Sequence, residues 1–550
     1  MIYPKPQKAE FYGKALLSSV PNLYTTGYLS EYALGFLEEE LPEGREGELN
    51  INIILKDDKH SLYIEETRKI SDEKYNISIS EKGNCDITVT SKRGLFRALC
   101  TLAKLLSQKA LKAGIIEDYP LFSMRGYIEG FYGNVWEKET RKSVMRLMAR
   151  HGMNTFFYAP KDDEYHRAKW RELYPENKLN ELKELFLFSK ENEMDFHYCI
   201  APGLDMRYTN EKDFDTLFTK IKSIYDIGIK KFGLLLDDIP ETLQYKEDIE
   251  KYGETVNAHI DLVNRVYDEL KKLDKTVEFT MCPLQYHGKG EEYFISKLGR
   301  GLDSEIKIFW TGRNICSQEL TSIEAIRFIE NTRHKPLYWD NFPVNDAEMF
   351  NEMHLGPIEG REKDLYRYCD GIISNVMEYA ECSKIPLLTI ANYLWNPESY
   401  DKEKSYDYAL KTILNDKAEL FKYFSDHLQV SCLTKSSSVF LSDTLAKAQF
   451  LLSTGKQIKA FAILTEYLDN AFLCSEMLKD TKNPLFNELK RWSEKFEKSC
   501  EILKLTLEVI STGDSDAKKE LLEKAEHYDK DATILTGFCL REAVQRAMEI

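Results

Sequence analysis

The sequence predicts an α/β protein whose centre is a (β/α)8, TIM-like barrel, preceded by a small α+β domain and followed by a C-terminal helical bundle. Three observations predict this order. Short β-type runs and helical patterns come first, alternating β and α patterns fill residues 124 to about 400, and the strand signal vanishes from about residue 401. A chain of 550 residues is also too long for one hydrophobic core. We therefore expect domains at 1–121, 122–400 and 401–550.

The first domain is predicted from short β-type runs at 51–55, 75–79 and 86–90. Helical patterns separate these runs, and the segment 94–106 has the apolar spacing of an amphipathic helix. A boundary is expected near Asp118, where the sequence continues into Tyr-Pro.

The barrel is predicted from eight strand candidates, most of them separated by helical patterns of 10 to 20 residues. An open, doubly wound sheet is the structural alternative. No Gly-x-Gly-x-x-Gly follows any of the candidates, so a nucleotide-binding sheet has little support. The candidates are 124–128, 155–158, 195–200, 231–236, 276–281, 307–311, 335–339 and 370–374.

The last domain is predicted to be helical because apolar residues recur there at three- and four-residue spacing. Similar stripes at 441–452, 457–479 and 535–548 indicate a bundle, and their apolar faces are expected to form its core. One stripe predicts a single long helix through Leu485, Leu489, Trp492, Phe496, Leu503 and Leu507.

Composition excludes several classes of partner. Apolar residues make up 43% and charged residues 30%, as in ordinary globular proteins, and the net charge of −16 argues against nucleic acid or an anionic membrane surface. The eleven cysteines are scattered singly, which is typical of reduced core residues in the cytosol. No apolar stretch approaches the roughly 20 residues that span a bilayer. The start lacks a secretory pattern, so a cytoplasmic protein is predicted, or a secreted one if a signal has been removed.

Two adjacent acids follow the fourth strand candidate. Residues 232–236 are consecutive apolar residues and glycine, typical of a strand buried on both faces, and Asp237 and Asp238 come next. Barrel enzymes keep their catalytic groups at this end of the strands. Neighbouring acids whose pKa values are held apart can supply one proton donor and one fixed anion. An arbitrary Asp pair at a strand end more often begins a turn or caps the next helix.

Polar residues also follow most of the other strand candidates, and a closed barrel brings them to one mouth. Each has an ordinary interpretation when taken alone: a surface ion pair for Lys161, a core position for Trp339, a half-buried aromatic for Tyr286 and turns for Asn341 and Asn375. Together, acids, amides and an aromatic face around a concave mouth are what a neutral polyhydroxylated ring requires. The combination predicts a sugar site.

Five groups of motifs resemble glycoside hydrolase family 84, the β-N-acetylglucosaminidase family that includes the O-GlcNAcases and bacterial relatives once named hyaluronidases. They span the predicted barrel and are specific. The matching segments are 125–133 (RGYIEGFYG), 151–155 (HGMNT) running into 158–163 (YAPKDD), 235–239 (LLDDI), 339–341 (WDN) with 345–346 (ND), and Asn375 through 393–397 (YLWNP).

The resemblance implies a retaining mechanism in which the substrate's 2-acetamido oxygen attacks the anomeric carbon and forms an oxazoline. Conventional retaining glycosidases need two carboxyls on opposite sides of the bond, and neighbours on one strand end are poorly placed for that. By motif, Asp237 would stay anionic and bind the acetamido N–H, while Asp238 would be the general acid and then the base. Tyr286 would donate to the acetamido oxygen, helped by Asn341.

The resemblance also assigns the residues that bind the sugar. Trp339 would wall the pocket of the acetyl methyl group. The sugar hydroxyls would be held by Asp346, Asn375, Lys161 and the backbone of Gly130. No cofactor and no metal are expected. The implied partner is a glycoprotein or glycan that carries β-linked GlcNAc, and the C-terminal helical domain is a candidate contact surface for protein or glycan.

Three other functions compete with this interpretation. A hyaluronidase-type or family 20-like hexosaminidase would use a similar barrel, but the family 20 pair is Asp-Glu whereas Asp238 follows Asp237 here. A catalytically silent sugar-binding protein would be expected to lack the acid. A metal-dependent hydrolase needs convergent ligands, and His166 and His287 alone do not supply them. The natural aglycone stays open.

Overall fold

The computed structural model describes residues 2–17, 22–27, 30–40, 48–55, 72–107, 111–435, 438–535 and 538–549. Its N-terminal part is a six-stranded mixed sheet in the order β1-β6-β4-β5-β3-β2, with two helices packed on it. The strands β2, β3 and β5 run parallel, and the pairs made by β4, β6 and β1 are antiparallel. The predicted α+β character is confirmed. The elements are β1 (Lys8–Leu17), β2 (Asn22–Gly27), α1 (Ser30–Glu40), β3 (Glu48–Leu55), β4 (Tyr75–Ile79), β5 (Asn84–Val89), α2 (Lys92–Leu106) and β6 (Leu111–Asp118).

Eight parallel strands then close into a barrel, in the order β10-β11-β12-β13-β14-β7-β8-β9. Every strand overlaps its prediction, and the limits differ by no more than two residues. The strands are β7 (Met124–Glu129), β8 (Thr155–Tyr158), β9 (Asp195–Ile200), β10 (Lys231–Leu235), β11 (Glu278–Cys282), β12 (Lys307–Trp310), β13 (Pro336–Asp340) and β14 (Gly371–Asn375).

Helices cover the outside of the barrel, with one exception. The connection from β13 to β14 holds only two short 3₁₀ helices, Ala347–Met349 and Leu365–Arg367. This connection is therefore a long loop at the carboxyl end of β13, where a barrel keeps its chemistry. The helices are α3 (Lys138–Arg150), α4 (Glu176–Glu191), α5 (Glu211–Asp226), α6 (Lys246–Tyr252), α7 (Thr255–Leu273), α8 (Tyr293–Gly301), α9 (Ser322–Thr332) and α10 (Ala380–Trp395).

The strands are buried on both faces, which explains their near-continuous apolar sequence. One set of alternate residues fills the barrel interior, and the other set packs under the helices in a much larger cluster. Trp339 belongs to the interior set and lies near the carboxyl end of β13, at the mouth of the barrel. The interior residues are Ile128, Phe157, Ala159, Cys199, Ala201, Leu235, Cys282, Phe309, Leu337, Trp339 and Ile373.

A buried ion-pair cluster joins the N-terminal sheet domain to the barrel. The Glu73 carboxylate accepts hydrogen bonds from Arg97 of α2 (2.7 Å) and Arg125 of β7 (2.6 Å). Burial alone would raise the pKa of Glu73, but the two guanidinium groups outweigh it and hold the pKa well below the ordinary value. Removing one partner of such a buried pair costs about 3–5 kcal/mol, so these residues fix the sheet domain on the base of β7.

The C-terminal part is helical, as predicted, and three of its helices cover the predicted stripes; residues 536 and 537 of the last stripe lie outside the described part. The prediction of one long helix through Leu485 and Leu507 is wrong, because the backbone breaks at Leu489 between α15 and α16. Leu489 is itself fully buried, so the apolar period continues across the break. The limits 1–121, 122–400 and 401–550 remain predictions. The helices are α11 (Lys402–Leu414), α12 (Ala418–Ser425), α13 (Val439–Ser453), α14 (Gln457–Leu478), α15 (Pro484–Glu488), α16 (Lys490–Thr512), α17 (Ser515–Lys530) and α18 (Phe538–Glu549).

Among the described residues, none of the helices combines the length and the apolar character needed to cross a bilayer.

Candidate active site

The carboxyl ends of seven barrel strands surround one cavity of ≈ 240 Å³, the site cavity. All nine residues that the sequence singled out lie in its wall. They come from β7, β8, β10, β11, β13 and β14 or the loops that follow these strands. The predicted residues in the wall are Gly130, Lys161, Asp237, Asp238, Tyr286, Trp339, Asn341, Asp346 and Asn375.

Asp237 is a buried carboxylate paired with a buried amine. Lys161 donates to Asp237 Oδ2 at 2.8 Å, and the two side chains are 4% and 8% exposed. Burial raises the pKa of Asp237, but the charge and hydrogen bond of Lys161 outweigh it and leave the pKa below its ordinary value. Burial lowers the pKa of Lys161, but Asp237 overcomes this and raises it to about 12. Lys161 is therefore not the surface ion pair of the ordinary interpretation.

The second oxygen of Asp237 is not used by the protein. Oδ1 is buried and accepts a hydrogen bond from no other residue in the described part of the chain. A buried carboxylate oxygen without a donor is costly, and such an atom in a cavity wall often serves a ligand. Asp237 thus presents a fixed negative charge and one spare acceptor to the site cavity.

Asp238 is more accessible and is held by three neighbours. Its side chain is 37% exposed, and it receives hydrogen bonds from Tyr132 Oη (2.8 Å, to Oδ2) and Tyr286 Oη (3.3 Å, to Oδ1). Arg167 donates to Tyr132 Oη (2.9 Å) and to the Asp238 carbonyl oxygen (2.9 Å). The φ of Asp238 is +51°, an uncommon left-handed conformation that surrounding contacts must maintain. The exposed acid therefore has a specified orientation.

An amide network lines the opposite wall. Asn341 Oδ1 accepts from Trp339 Nε1 (2.9 Å) and from Asn375 Nδ2 (3.0 Å), and Asn341 Nδ2 donates to the Ile315 carbonyl (2.9 Å). These bonds fix which way each amide points. Asn375 Oδ1 is buried and has no hydrogen-bond partner among the described residues. A Cβ at Gly130 would lie 2.6 Å from the Trp339 ring, so only glycine fits beside it.

Asp346 lies on the long connection after β13, in a segment that we call the Asp346 loop, residues 344–353. Asp346 Oδ2 accepts a hydrogen bond from the Tyr132 backbone N–H at 2.7 Å. The residue precedes the 3₁₀ helix Ala347–Met349, but its side chain makes no capping hydrogen bond there. Burial raises the pKa of Asp346, which the Tyr132 N–H partly offsets. The Asp346 side chain therefore does not cap this short helix, although the residue stands at its N-terminus.

The sequence reasoning did not single out Tyr132 or Arg167. Tyr132 stands in the polar segment directly after β7, and this position at a strand end is the signal that could have identified it. Arg167 gave no such signal, because its contacts with Tyr132 and Asp238 cross 35 and 71 residues of sequence. Arg167 is not part of the cavity wall, and besides Tyr132 the unpredicted residues of the wall are Cys282, Thr311, Ile315, Cys316, Val344, Ala347 and Met349.

A paired anion, an oriented exposed acid, an aromatic wall and an amide network at the mouth of a (β/α)8 barrel define the class of protein: a glycoside hydrolase. The comparison with known families gives the particular one. The model of the β-N-acetylglucosaminidase family matches residues 125–426, more than half of the chain, and the chain belongs to this family, glycoside hydrolase family 84. Residues 1–119 match domain 2 of glycosyl hydrolase family 20. The resemblance drawn from the motifs is confirmed.

Curated relatives carry related names. The proteins named Protein O-GlcNAcase of Rattus norvegicus and Mus musculus are each 31% identical to this chain over 275 residues, 49% of this chain and 29% of theirs. The chain thus spans less than a third of the length of these relatives.

Solved structures are similar over most or all of the chain. A mutant of the Thermobaculum terrenum O-GlcNAc hydrolase has a TM-score of 0.73 at 29% identity and covers 78% of this chain and 95% of its own. A protein described as CpGH84B has a TM-score of 0.84 at 26% identity, with both chains fully covered. CpGH84D, at 21% identity and a TM-score of 0.82 over 100% of this chain and 99% of its own, shows the same fold.

Proposed function

We propose that this protein is a retaining exo-β-N-acetylglucosaminidase that hydrolyses terminal β-linked GlcNAc by substrate-assisted catalysis. The observation that carries the proposal is the division of labour between two adjacent acids. Asp237 is a buried anion beside Lys161 with Oδ1 unused, and Asp238 is an accessible acid with an imposed orientation. A second carboxylate facing them is not needed if the substrate supplies the nucleophile.

In the first step, the acetamido carbonyl oxygen attacks the anomeric carbon, and the bond from that carbon to the leaving oxygen breaks. Asp238 gives its proton to the leaving oxygen as general acid. Positive charge develops on the acetamido nitrogen as the oxazoline forms, and the N–H bound to Asp237 Oδ1 is stabilised by the fixed anion. In the return step Asp238 takes a proton from water, which attacks the anomeric carbon and restores the acetamido group.

The remaining residues orient the sugar. Burial, followed by the nearby Asp238 and Asp237, raises the pKa of Tyr286, so its hydroxyl remains a donor and can bind the acetamido oxygen, helped by Asn341. Trp339 is 6% exposed in the cavity wall and would contact the acetyl methyl group. The proposed ligands of the sugar hydroxyls are Asp346, Asn375, Lys161 and the Gly130 backbone.

The substrate class follows from the family and the size of the cavity. The site cavity of ≈ 240 Å³ suits one sugar ring, and a neutral ring does not conflict with the three acids in its wall. The curated and solved relatives are named for O-GlcNAc, which favours a glycoprotein or glycan with terminal β-GlcNAc as the partner.

The test compares an aryl β-N-acetylglucosaminide with the aryl β-glucoside that lacks the acetamido group. We expect turnover of the first and none of the second, because the nucleophile is part of the substrate. Progressive fluorination of the N-acetyl methyl should then lower kcat/KM steeply as the carbonyl oxygen loses basicity, and a thiazoline mimic of the intermediate should inhibit. Turnover of both glycosides, or a flat response to fluorination, would contradict the substrate-assisted mechanism. Tight binding without turnover would indicate a silent sugar-binding protein.

A further inference from the structure

The C-terminal helices contact the Asp346 loop on the side away from the site cavity. On its inner side the loop contributes Val344, Asp346, Ala347 and Met349 to the cavity wall. Its two ends are tied to each other and to the barrel: Asn345 Nδ2 donates to the Glu352 carbonyl (2.8 Å) and Val344 N to the Asn375 carbonyl (2.9 Å). Among the described residues, no hydrogen bond joins the barrel strands or helices to the tip of the loop, Phe350 and Asn351.

The tip is held by residues more than 130 positions away. Arg491, near the start of α16, donates to the Phe350 carbonyl (3.3 Å), to the Asn351 side-chain oxygen and to Thr533 Oγ1 (2.8 Å). The Asn351 carbonyl accepts from Trp492 Nε1 (3.3 Å) and from the Ile534 backbone N–H (2.9 Å). The C-terminal helices and the segment before α18 thus supply the hydrogen-bond donors for the Phe350 carbonyl and for both oxygens of Asn351.

The geometry makes an arginine suited to this position. A guanidinium group is planar and carries several donors in fixed directions, so one side chain can bind two acceptors of the loop and one of Thr533 together. Trp492 is fully buried under it and gives the guanidinium a rigid base. Phe350 at the tip is 58% exposed, so little apolar burial helps to hold the tip, whereas Val344 and Met353 near the ends of the loop are buried. Polar contacts from the C-terminal part therefore determine where the tip lies.

We propose that Arg491 is a positioning residue for sugar binding: by clamping the tip of the Asp346 loop it places the Asp346 carboxylate in the site cavity. The C-terminal helices are then part of the substrate-binding apparatus without touching the substrate. This inference rests on the proposed function for the role of Asp346. It predicts that a change outside the barrel alters recognition of the sugar.

The experiment measures KM and kcat for an aryl β-N-acetylglucosaminide in Arg491→Ala. We expect KM to rise about fivefold to tenfold, the fold-change that corresponds to roughly one lost hydrogen bond, with kcat altered by less than about threefold. Arg491→Lys should restore KM in part, because an ammonium group reaches fewer of the acceptors. A purely structural role would instead reduce the active fraction, which lowers apparent kcat and leaves KM unchanged; that result would overturn the proposal.

Two further variants locate the effect. Arg541→Ala is the matched control, since it removes an exposed C-terminal arginine that pairs with Asp529 (3.1 Å) away from the loop, and its KM should equal that of the wild type. In a double-mutant cycle, Arg491→Ala added to Asp346→Ala should change KM by less than about twofold, because the clamp acts through the missing carboxylate. If the effects of the two substitutions on KM were fully additive in free energy, Arg491 would not act through Asp346.

Hydrogen exchange separates this inference from the proposed function. The amides of residues 346–353 should exchange faster in Arg491→Ala than in the wild type and in Arg541→Ala, whether or not the chain hydrolyses the glycoside. Unchanged exchange would overturn the clamp. Absence of wild-type turnover together with faster exchange would contradict the proposed function and leave the clamp in place. If Arg491→Ala does not fold, Arg491→Lys keeps the length and charge of the side chain but reaches fewer of the acceptors, and it should show the same pattern at smaller amplitude.

Discussion

Lys161 Nζ and Asp237 Oδ2 lie 2.8 Å apart in the floor of the site cavity, and both side chains are nearly inaccessible to solvent. The pairing keeps a buried carboxylate ionised at the position where the proposed chemistry develops positive charge. The pKa of Asp237 in the folded protein is below its ordinary value of 3.8, so the pair stabilises the fold fully at pH values above about 3.8. This stabilisation is lost as the pH falls below 3.8 and through the lower pKa that Asp237 has in the folded protein.

The first prediction follows from this pair. In Lys161→Met the charge and hydrogen bond of the lysine are gone and burial remains, so the pKa of Asp237 should rise. If catalysis requires the anion, the acid limb of the kcat/KM profile should move to higher pH. Loss of the partner also costs about 3–5 kcal/mol of stability. A smaller active fraction lowers kcat/KM by the same factor at each pH, so the shape of the profile still reports the pKa of Asp237.

Lys169→Met is the control for this prediction. Lys169 lies on the same loop and pairs with Glu164 at 2.6 Å, but its side chain is 42% exposed. Its loss should leave the pH profile unchanged, because exposed pairs contribute little. An acid limb that stays in place in Lys161→Met would show that Asp237 need not be ionised.

The second prediction separates the two aspartates. Asp238→Asn removes the proton donor, so substrates with good phenolate leaving groups should lose much less rate than substrates with alkoxide leaving groups. Asp237→Asn should damage both kinds, because it acts on the attacking acetamido group. A plot of log kcat/KM against leaving-group pKa for each variant is the measurement. The reverse pattern of sensitivities would exchange the roles of the two residues.

The third prediction concerns the space beside Trp339. A Cβ in Gly130→Ala would lie 2.6 Å from the Trp339 ring and 3.1 Å from Asn375 Oδ1, so the ring and the amide must move. Overpacking of this kind costs about 1–3 kcal/mol, and we expect kcat/KM to fall at least about tenfold as the acetyl pocket is distorted. Gly35→Ala is the control, because a Cβ there meets nothing within 4 Å. Normal kinetics for Gly130→Ala would show that the wall beside Trp339 does not form the acetyl pocket.

Sequence reasoning reached the barrel and the ends of its strands for a physical reason, whereas Gly130 and Asp346 were singled out through the family resemblance. Strands buried on both faces leave continuous apolar runs, and functional residues stand directly after them, as Asp237 does after β10. The break at Leu489 was not predictable in the same way, because apolar spacing reports which face is buried and not whether the backbone hydrogen bonds continue.

The contacts that tune the site could not be predicted from spacing. Lys161 reaches Asp237 across 76 residues, and Arg491 reaches the Asp346 loop across about 140. Such contacts depend on how loops of different strands and domains fold over one another, and local periodicity carries no information about that. The motifs located the candidate reacting groups, whereas the structure was needed to find the residues that hold them.

The last prediction returns to Asp346, whose carboxylate accepts the Tyr132 N–H and makes no capping hydrogen bond. Charge-assisted hydrogen bonds to two sugar hydroxyls would be worth about 1.5–3 kcal/mol, so Asp346→Ala should lower kcat/KM by roughly one to two orders of magnitude while the melting temperature changes little. Asp346→Asn keeps one acceptor and should lose less.

A true helix cap supplies the contrast. Asp401 accepts from the Lys404 N–H at the start of α11, 3.1 Å away, and Asp401→Ala should cost about 1 kcal/mol of stability with normal kinetics. Melting temperature and kcat/KM should be measured for both variants. Loss of a binding residue lowers kcat/KM, whereas loss of a helix cap lowers the melting temperature. If Asp346→Ala behaved like Asp401→Ala, with a lowered melting temperature and unchanged kcat/KM, Asp346 would no longer belong to the sugar site, and the proposed effect of Arg491 on KM would have to act through another residue of the loop.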